Sequence, residues 1–191
     1  MKKIFILLAS AFLYTAASAQ TTWTVDKAHS NVKFTVTHLL VNDVDGTFKT
    51  YDATITSTKP DFSDAKVSFT VQTASVSTDN DQRDGHLKSA DFFDAANKPT
   101  LTFTSTGISK TSDKHYKVTG NLTLAGVTKP AVFDLWYRGT IQNPMSKADD
   151  AGFQLTGTIK RADFNFGSKF GSAMLSDEVT IKANGEFAKA K

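Results

Sequence analysis

From Val32 onward the chain alternates apolar and polar residues in one segment after another, and a period of two fits little besides antiparallel sheet that is wet on one face. Val32, Phe34, Val36 and His38 form one row, while Lys33, Thr35 and Thr37 form the other. Val67, Phe69 and Val71 continue the pattern, followed by Leu101 and Phe103 and then by Val118, Gly120, Leu122 and Leu124. It returns in Phe133, Leu135 and Tyr137, in Phe153, Leu155, Gly157, Ile159 and Arg161, and in Val179, Ile181, Ala183, Gly185 and Phe187. A shorter strand is expected around Phe48 to Ile55, with a parity slip between Phe48 and Tyr51 of the kind a β-bulge produces. Seven or eight such strands must bury their apolar faces in a sandwich or a closed barrel. Gly120, Gly157 and Gly185 fall on inward rows, where a missing side chain permits tight curvature or leaves internal space, and this favours the barrel.

The ends bound what the barrel serves. Met1-Lys2-Lys3, an apolar run from Ile4 to about Tyr14, and Ala17-Ser18-Ala19 have the order of a secretory signal peptide. The run is well short of the roughly 20 residues that span a bilayer. The sequence therefore divides into a cleaved signal peptide, 1–19, and one domain, 20–191, with no integral membrane segment in the mature chain. Loss of Lys2 and Lys3 lowers the formal net charge from +3 to +1. So small a charge gives no field with which to hold nucleic acid or an anionic membrane surface. Without cysteine the chain has no disulfides, thiol nucleophiles or thiolate metal sites, so its stability must lie in its core.

Two segments break the alternation. From Ser77 to Pro99, the residues Asp79, Asn80 and Asp81 offer N-caps for a short helix near Arg83 to Ala90. From Ala162 to Ser176, Phe164, Phe166, Phe170, Met174 and Leu175 stand among glycines, and a loop so rich in Phe is expected to cover an apolar opening. Gly126 to Pro130 reads as a hairpin connection with Pro130 at a strand start, and 143–152 as a solvated loop.

The chemistry-bearing residues point to containment rather than catalysis. His29, His38, His86 and His115 are far apart in sequence, with no pair or carboxylate at metal-motif spacing. No nucleophile elbow or phosphate-cradling loop is present, so no catalytic residue, metal or cofactor is assigned. Polar residues on apolar rows are more informative. His38 and Arg161 each end an inward row, and with Arg83 and His86 on the helical segment they suggest a polar mouth over an apolar cavity. A buried guanidinium requires an internal carboxylate, carbonyls or a ligand anion.

Row parity assigns Phe34, Phe69, Phe103, Phe133, Phe153 and Leu155 to the wall of a channel for an apolar tail, with Phe164 and Phe170 shielding its opening. His38, Arg83, His86 and Arg161 are the head-group candidates. Trp136 falls on an outer row, where an exposed indole is either plain surface, the commoner case, or the mark of a homodimer interface.

The segments DKAHSNVKF at 26–34, GTF at 46–48, GHLKSADFFD at 85–94, KPTLTF at 98–103, GNLTLAGVTKP at 120–130 and LSDEVTIKANGEF at 175–187, together with His38, resemble the YceI-like family of secreted bacterial proteins over essentially the whole mature chain. The resemblance implies an all-β, lipocalin-like antiparallel barrel of about eight strands with a short helix near the mouth. It also implies a long apolar pore, a polyisoprenoid or other long-chain lipid ligand, and a periplasmic or secreted location. The alternatives are a structural or protein-interaction barrel with a filled core, since fifteen Phe can fill a barrel as readily as line one, and a hydrolase acting on amphiphiles.

Overall fold

The computed structural model describes residues 19–190, so the expected signal peptide lies almost wholly outside the described residues. Among the described residues ten strands run in order: β1 (Thr21–His38), β2 (Asn42–Phe48), β3 (Tyr51–Ser57), β4 (Lys66–Gln72), β5 (Val76–Ser77), β6 (Thr100–Ser112), β7 (His115–Leu124), β8 (Val127–Gln142), β9 (Asp149–Lys160) and β10 (Leu175–Lys189). All pair antiparallel with their sheet neighbours, and β10 returns to pair with β1 and close the sheet into a barrel. Closure removes the exposed edges that a sheet of this length would otherwise present.

The barrel has eight staves because β2 and β3 are two halves of one of them. Both pair with β1, β2 along Val32 to His38 and β3 along Thr21 to Thr24. The parity slip expected between Phe48 and Tyr51 is the break between these halves. There Lys49 N donates to Ser75 O, Thr50 N donates to Ser75 Oγ, and Thr50 O accepts from Gln72 N. The short β5 pairs with β2 at the same place, so backbone groups released by the break are taken up nearby.

The rows behave as their residue types require. In β7 burial alternates strictly, with Tyr116, Val118, Gly120, Leu122 and Leu124 inside. The turn into β8 holds only Ala125 and Gly126, both at positive φ (49° and 80°), the geometry of a two-residue type I′ hairpin. Pro130 sits three residues inside β8, opposite Asn121, rather than at its start. The helix α1 covers Asp81–Lys88, two residues earlier than expected at each end, because Asn80 is the N-cap: its Oδ1 accepts from Arg83 N at 2.9 Å.

Aromatic rings fill one end of the barrel. Phe62, from the loop between β3 and β4, points inward and is 1 % exposed. Its ring lies 5.4 Å from Trp23 and 4.9 Å from both Tyr137 and Phe153, and Phe153 in turn meets Phe187 at 5.6 Å. The loop is held from both sides. Tyr116 Oη donates to Asp61 O, and the Asp64 carboxylate accepts from Ser57 Oγ, Thr58 N, Thr58 Oγ1 and Lys59 N.

Candidate functional site

Toward the other end the side chains no longer meet across the barrel. Phe34, Phe69, Leu155, Ile159 and Ile181 all point inward, yet each is only half-buried, because they border an internal cavity of about 410 Å³. That volume falls within the roughly 300–1,000 Å³ of small-ligand sites. Its wall is almost wholly apolar, and Phe153, resting on Phe62, is part of its floor. The Phe among the described residues therefore do both things that composition allowed: some pack one end solid and others line the open remainder.

The inward glycines are used for ring packing rather than for empty space. Phe34 is the cross-strand partner of Gly46, and a Cβ at Gly46 would lie 2.1 Å from the Phe34 ring. Phe133 lies over Gly157 in the same way, 2.5 Å from a Cβ placed there. Each glycine lets a neighbouring ring lie flat against the wall, which keeps the centre of the channel clear.

Of the eight residues assigned to the tail channel, Phe34, Phe69, Phe103, Phe133, Phe153, Leu155 and Phe170 line the cavity. Phe164 does not, and its assignment is corrected. It follows β9 in a short 3₁₀ turn, Arg161–Phe164, is buried in the core, and borders a separate hollow that Ala125 and Val127 also line. Phe92, Phe93 and Phe166 take the covering role instead. Phe92 stacks on Phe170 at 5.1 Å and 11°, and Phe93 meets Phe166 at 4.7 Å, so the segment after α1 and the loop before β10 are joined by aromatic faces. An ion pair between Lys169 Nζ and Asp91 at 2.5 Å links them on the outside.

All four head-group candidates reach the cavity, from three separate parts of the chain. His38 is exposed at the end of β1, and Arg83 and His86 are exposed on α1. Arg83 Nε donates to Thr78 Oγ1 at 2.7 Å and Nη2 to Thr78 O at 2.8 Å, which leaves Nη1 uncommitted. Asp84, which accepts from Thr78 N and Oγ1, fixes that threonine in turn. The His86 ring meets Phe92 and Phe170 edge-on at 5.1 and 5.7 Å, and its Nε2 lies 3.5 Å from Asp91 Oδ2.

Arg161 differs from the other three. It is 4 % exposed, and all five of its N–H donors are taken by backbone carbonyls. Nε donates to Ser176 O, Nη1 to Phe166 O and Gly167 O, and Nη2 to Phe170 O and Leu175 O, at 2.6–3.1 Å. Burial lowers its pKa and nearby Asp177 partly offsets this. Carbonyls were one of the three partners a buried guanidinium required, and here they use its whole donor set. Arg161 therefore organises the loop over the mouth and has no N–H left for a ligand.

Trp136 is half-buried rather than bare, with the Arg138 guanidinium 4.2 Å above its ring and His115 stacked on it at 5.7 Å. Outside the cavity, Asp26, His29 and Glu186 converge at an exposed irregularity of β1, where Asp26 Oδ2 lies 2.8 Å from His29 Nδ1. The hydrogen bond to His29 lowers the Asp26 pKa, and the same bond raises that of His29.

The fold recurs in known proteins. A crystal structure of a Campylobacter jejuni YceI protein is 37 % identical, covers 88 % of this chain and 98 % of its own, and superposes with a TM-score of 0.74. Burkholderia cenocepacia BcnA is 26 % identical and covers 87 % and 99 %, with a TM-score of 0.72. A polyisoprenoid binding domain from Saccharophagus degradans, at 18 % identity and a TM-score of 0.68, shares the fold. Among curated proteins, a UPF0312 protein of Staphylococcus aureus (strain USA300) is 36 % identical over 172 residues, 88 % of this chain and 98 % of its own. The model of the YceI-like domain matches residues 23–187, and the chain belongs to the YceI-like family.

Proposed function

We propose that this protein binds and carries, or sequesters, a long-chain amphiphile of the polyisoprenoid or fatty-acyl type, without catalysis. The observation that carries this reading is the apolar cavity itself, closed by an aromatic floor and reaching the surface beside His38, Arg83 and His86. The Saccharophagus degradans domain, a binder of polyisoprenoid on the same fold, supports the ligand class. A barrel kept only for structure has no use for half-buried aromatic side chains around an internal space.

The energetics follow from the lining. Each methylene moved from water into the cavity contributes about 0.8 kcal/mol, so a tail of roughly twelve to fifteen carbons gives on the order of 10 kcal/mol before ordering costs. A charge-assisted hydrogen bond from Arg83 Nη1 at the rim adds roughly 1.5–3 kcal/mol. The tail thus sets affinity, while Arg83, His38 and His86 set orientation and head-group preference. Residues 1–19 serve as an export signal in this reading, and the barrel works in the periplasm or outside the cell.

Titration of the protein with a fluorescent long-chain fatty acid, and competition by a polyisoprenoid alcohol, tests the reading. Saturable one-to-one binding that is abolished in a folded Phe69→Arg variant is the expected result, because the substitution places a charge in the channel. Undiminished binding by that variant would remove the ligand from the cavity.

A further inference from the structure

Among the described residues seven large apolar side chains are exposed, and four of them, Leu39, Leu40, Val41 and Met174, share one rim of the cavity mouth. They are 51, 68, 83 and 49 % accessible. Leu39 to Val41 form the connection between β1 and β2, and Met174 precedes β10. Leu39 N donates to Met174 O at 2.9 Å, which ties the two pieces together. His38 and Met174 themselves line the cavity, so the patch is continuous with the channel wall.

The turn is a built feature. Val41 N donates to His38 O at 3.2 Å, and both central residues are left-handed, Leu39 at φ 52° and Leu40 at φ 59°. Those positions favour Gly, Asn or Asp, and a bulky side chain there is uncommon. Here both are leucine, and neither recovers the strain through burial. The hairpin thus holds apolar side chains outward, next to the opening through which an apolar ligand passes.

We propose that this rim is a membrane-docking surface: Leu39, Leu40, Val41 and Met174 enter the outermost layer of a lipid bilayer and set the cavity mouth against it. A bilayer fits better than a protein groove, because a projecting turn needs no complementary shape in a fluid phase. The ligand class also resides in bilayers, and in this respect the inference rests on the carrier reading. Nearby charges contribute little net attraction, since the Arg83 cation at the mouth is offset by the Asp43 carboxylate, which its bond from Thr37 Oγ1 leaves charged, and Asp91 is paired with Lys169. Docking is accordingly apolar and proceeds on zwitterionic lipid.

The test uses residues 20–191, which contain every barrel strand, with vesicles of pure phosphatidylcholine. The protein is expected to co-sediment with the vesicles, and the emission of a Val41→Trp variant to shift to the blue and be quenched by acyl-brominated lipid. A Leu40→Asp, Val41→Asp double variant should lose about 30-fold or more in partitioning. It should still take up a fluorescent fatty acid from lipid-free water. Failure of the wild type to bind vesicles, or equal binding by the double variant, overturns the docking proposal, and fatty-acid uptake then reports on the carrier reading separately. Self-association that the double variant abolishes would assign the rim to a second copy of the chain and overturn it too. Vesicle binding without fatty-acid uptake would uphold docking and sink the carrier reading.

Discussion

Replacing Arg161 with methionine separates an organiser of the mouth from a ligand contact. The change keeps much of the side-chain length, removes five donors, and leaves the carbonyls of Phe166, Gly167, Phe170, Leu175 and Ser176 without their partner. Each carbonyl left dry costs roughly 1–3 kcal/mol, but a surface loop rehydrates most of them. A net loss of about 3–5 kcal/mol, as for breaking a buried charged network, is the reasonable sum. At roughly 2–4 °C per kcal/mol for a domain of this size, Tm falls by about 6–20 °C. Calorimetry of the wild type, Arg161→Met and Arg161→Lys is the assay, with limited proteolysis of the 161–176 loop alongside. Lysine should recover only part of the loss, because a single ammonium with three donors cannot span carbonyls arranged around a planar fork. A methionine variant that melts within about 2 °C of the wild type and selectively loses anionic amphiphiles would refute the reasoning and return Arg161 to the head-group set.

Other consequences are open to direct measurement. Phe62→Ala removes the ring under the channel floor and should cost about 3–5 kcal/mol of stability while shifting ligand preference toward longer tails, read by denaturant unfolding and by competition across a homologous chain series. A preference that stays fixed would show that Phe62 does not set the channel depth. Gly46→Ala forces the Phe34 ring off the wall and into the channel, so affinity for the tail should fall by about tenfold or more with the barrel still closed. Unaltered affinity would mean that the ring has room to move elsewhere. Burial alone would raise the Asp64 pKa, but the hydrogen bonds from Ser57, Thr58 and Lys59 outweigh it and hold the carboxyl well below the usual range. A folded-state pKa below the unfolded one gives stability that is complete above the ordinary carboxylate value and is lost as pH falls below it. The Tm gap between wild type and Asp64→Asn should therefore be widest near neutrality, begin to narrow below about pH 4, and close only as pH falls through the much lower folded-state value. A gap independent of pH would contradict the ionised contact.

Periodicity carried the reading of the barrel, because inward and outward rows differ in residue type along nearly every strand. Phe34, Phe69, Phe103, Phe133 and Phe153 sit on strands where parity fixes direction, and all five line the cavity. Periodicity failed where the chain leaves the sheet. Phe164 lies in a 3₁₀ turn and Phe62 in a loop, so no rule of alternation told which way either ring points. The first is expected over the channel opening and the second has no expected place, although it is the most buried Phe among the described residues. Arg161 was legible as a buried guanidinium on an inward row. Its partners were not, because they are backbone carbonyls of the following fifteen residues, and a carbonyl carries no sequence signature. The exposed Leu39-Leu40-Val41 turn gave a signal in plain view, three apolar residues where a hairpin ordinarily places polar ones or glycine.

Native mass spectrometry of the purified protein, followed by solvent extraction of whatever it releases, tests the central claim most directly. Carriage of an amphiphile predicts a stoichiometric adduct of long-chain, organic-extractable material, absent from the Phe69→Arg variant. A bare protein that also refuses added polyisoprenoid and fatty-acyl chains would contradict it.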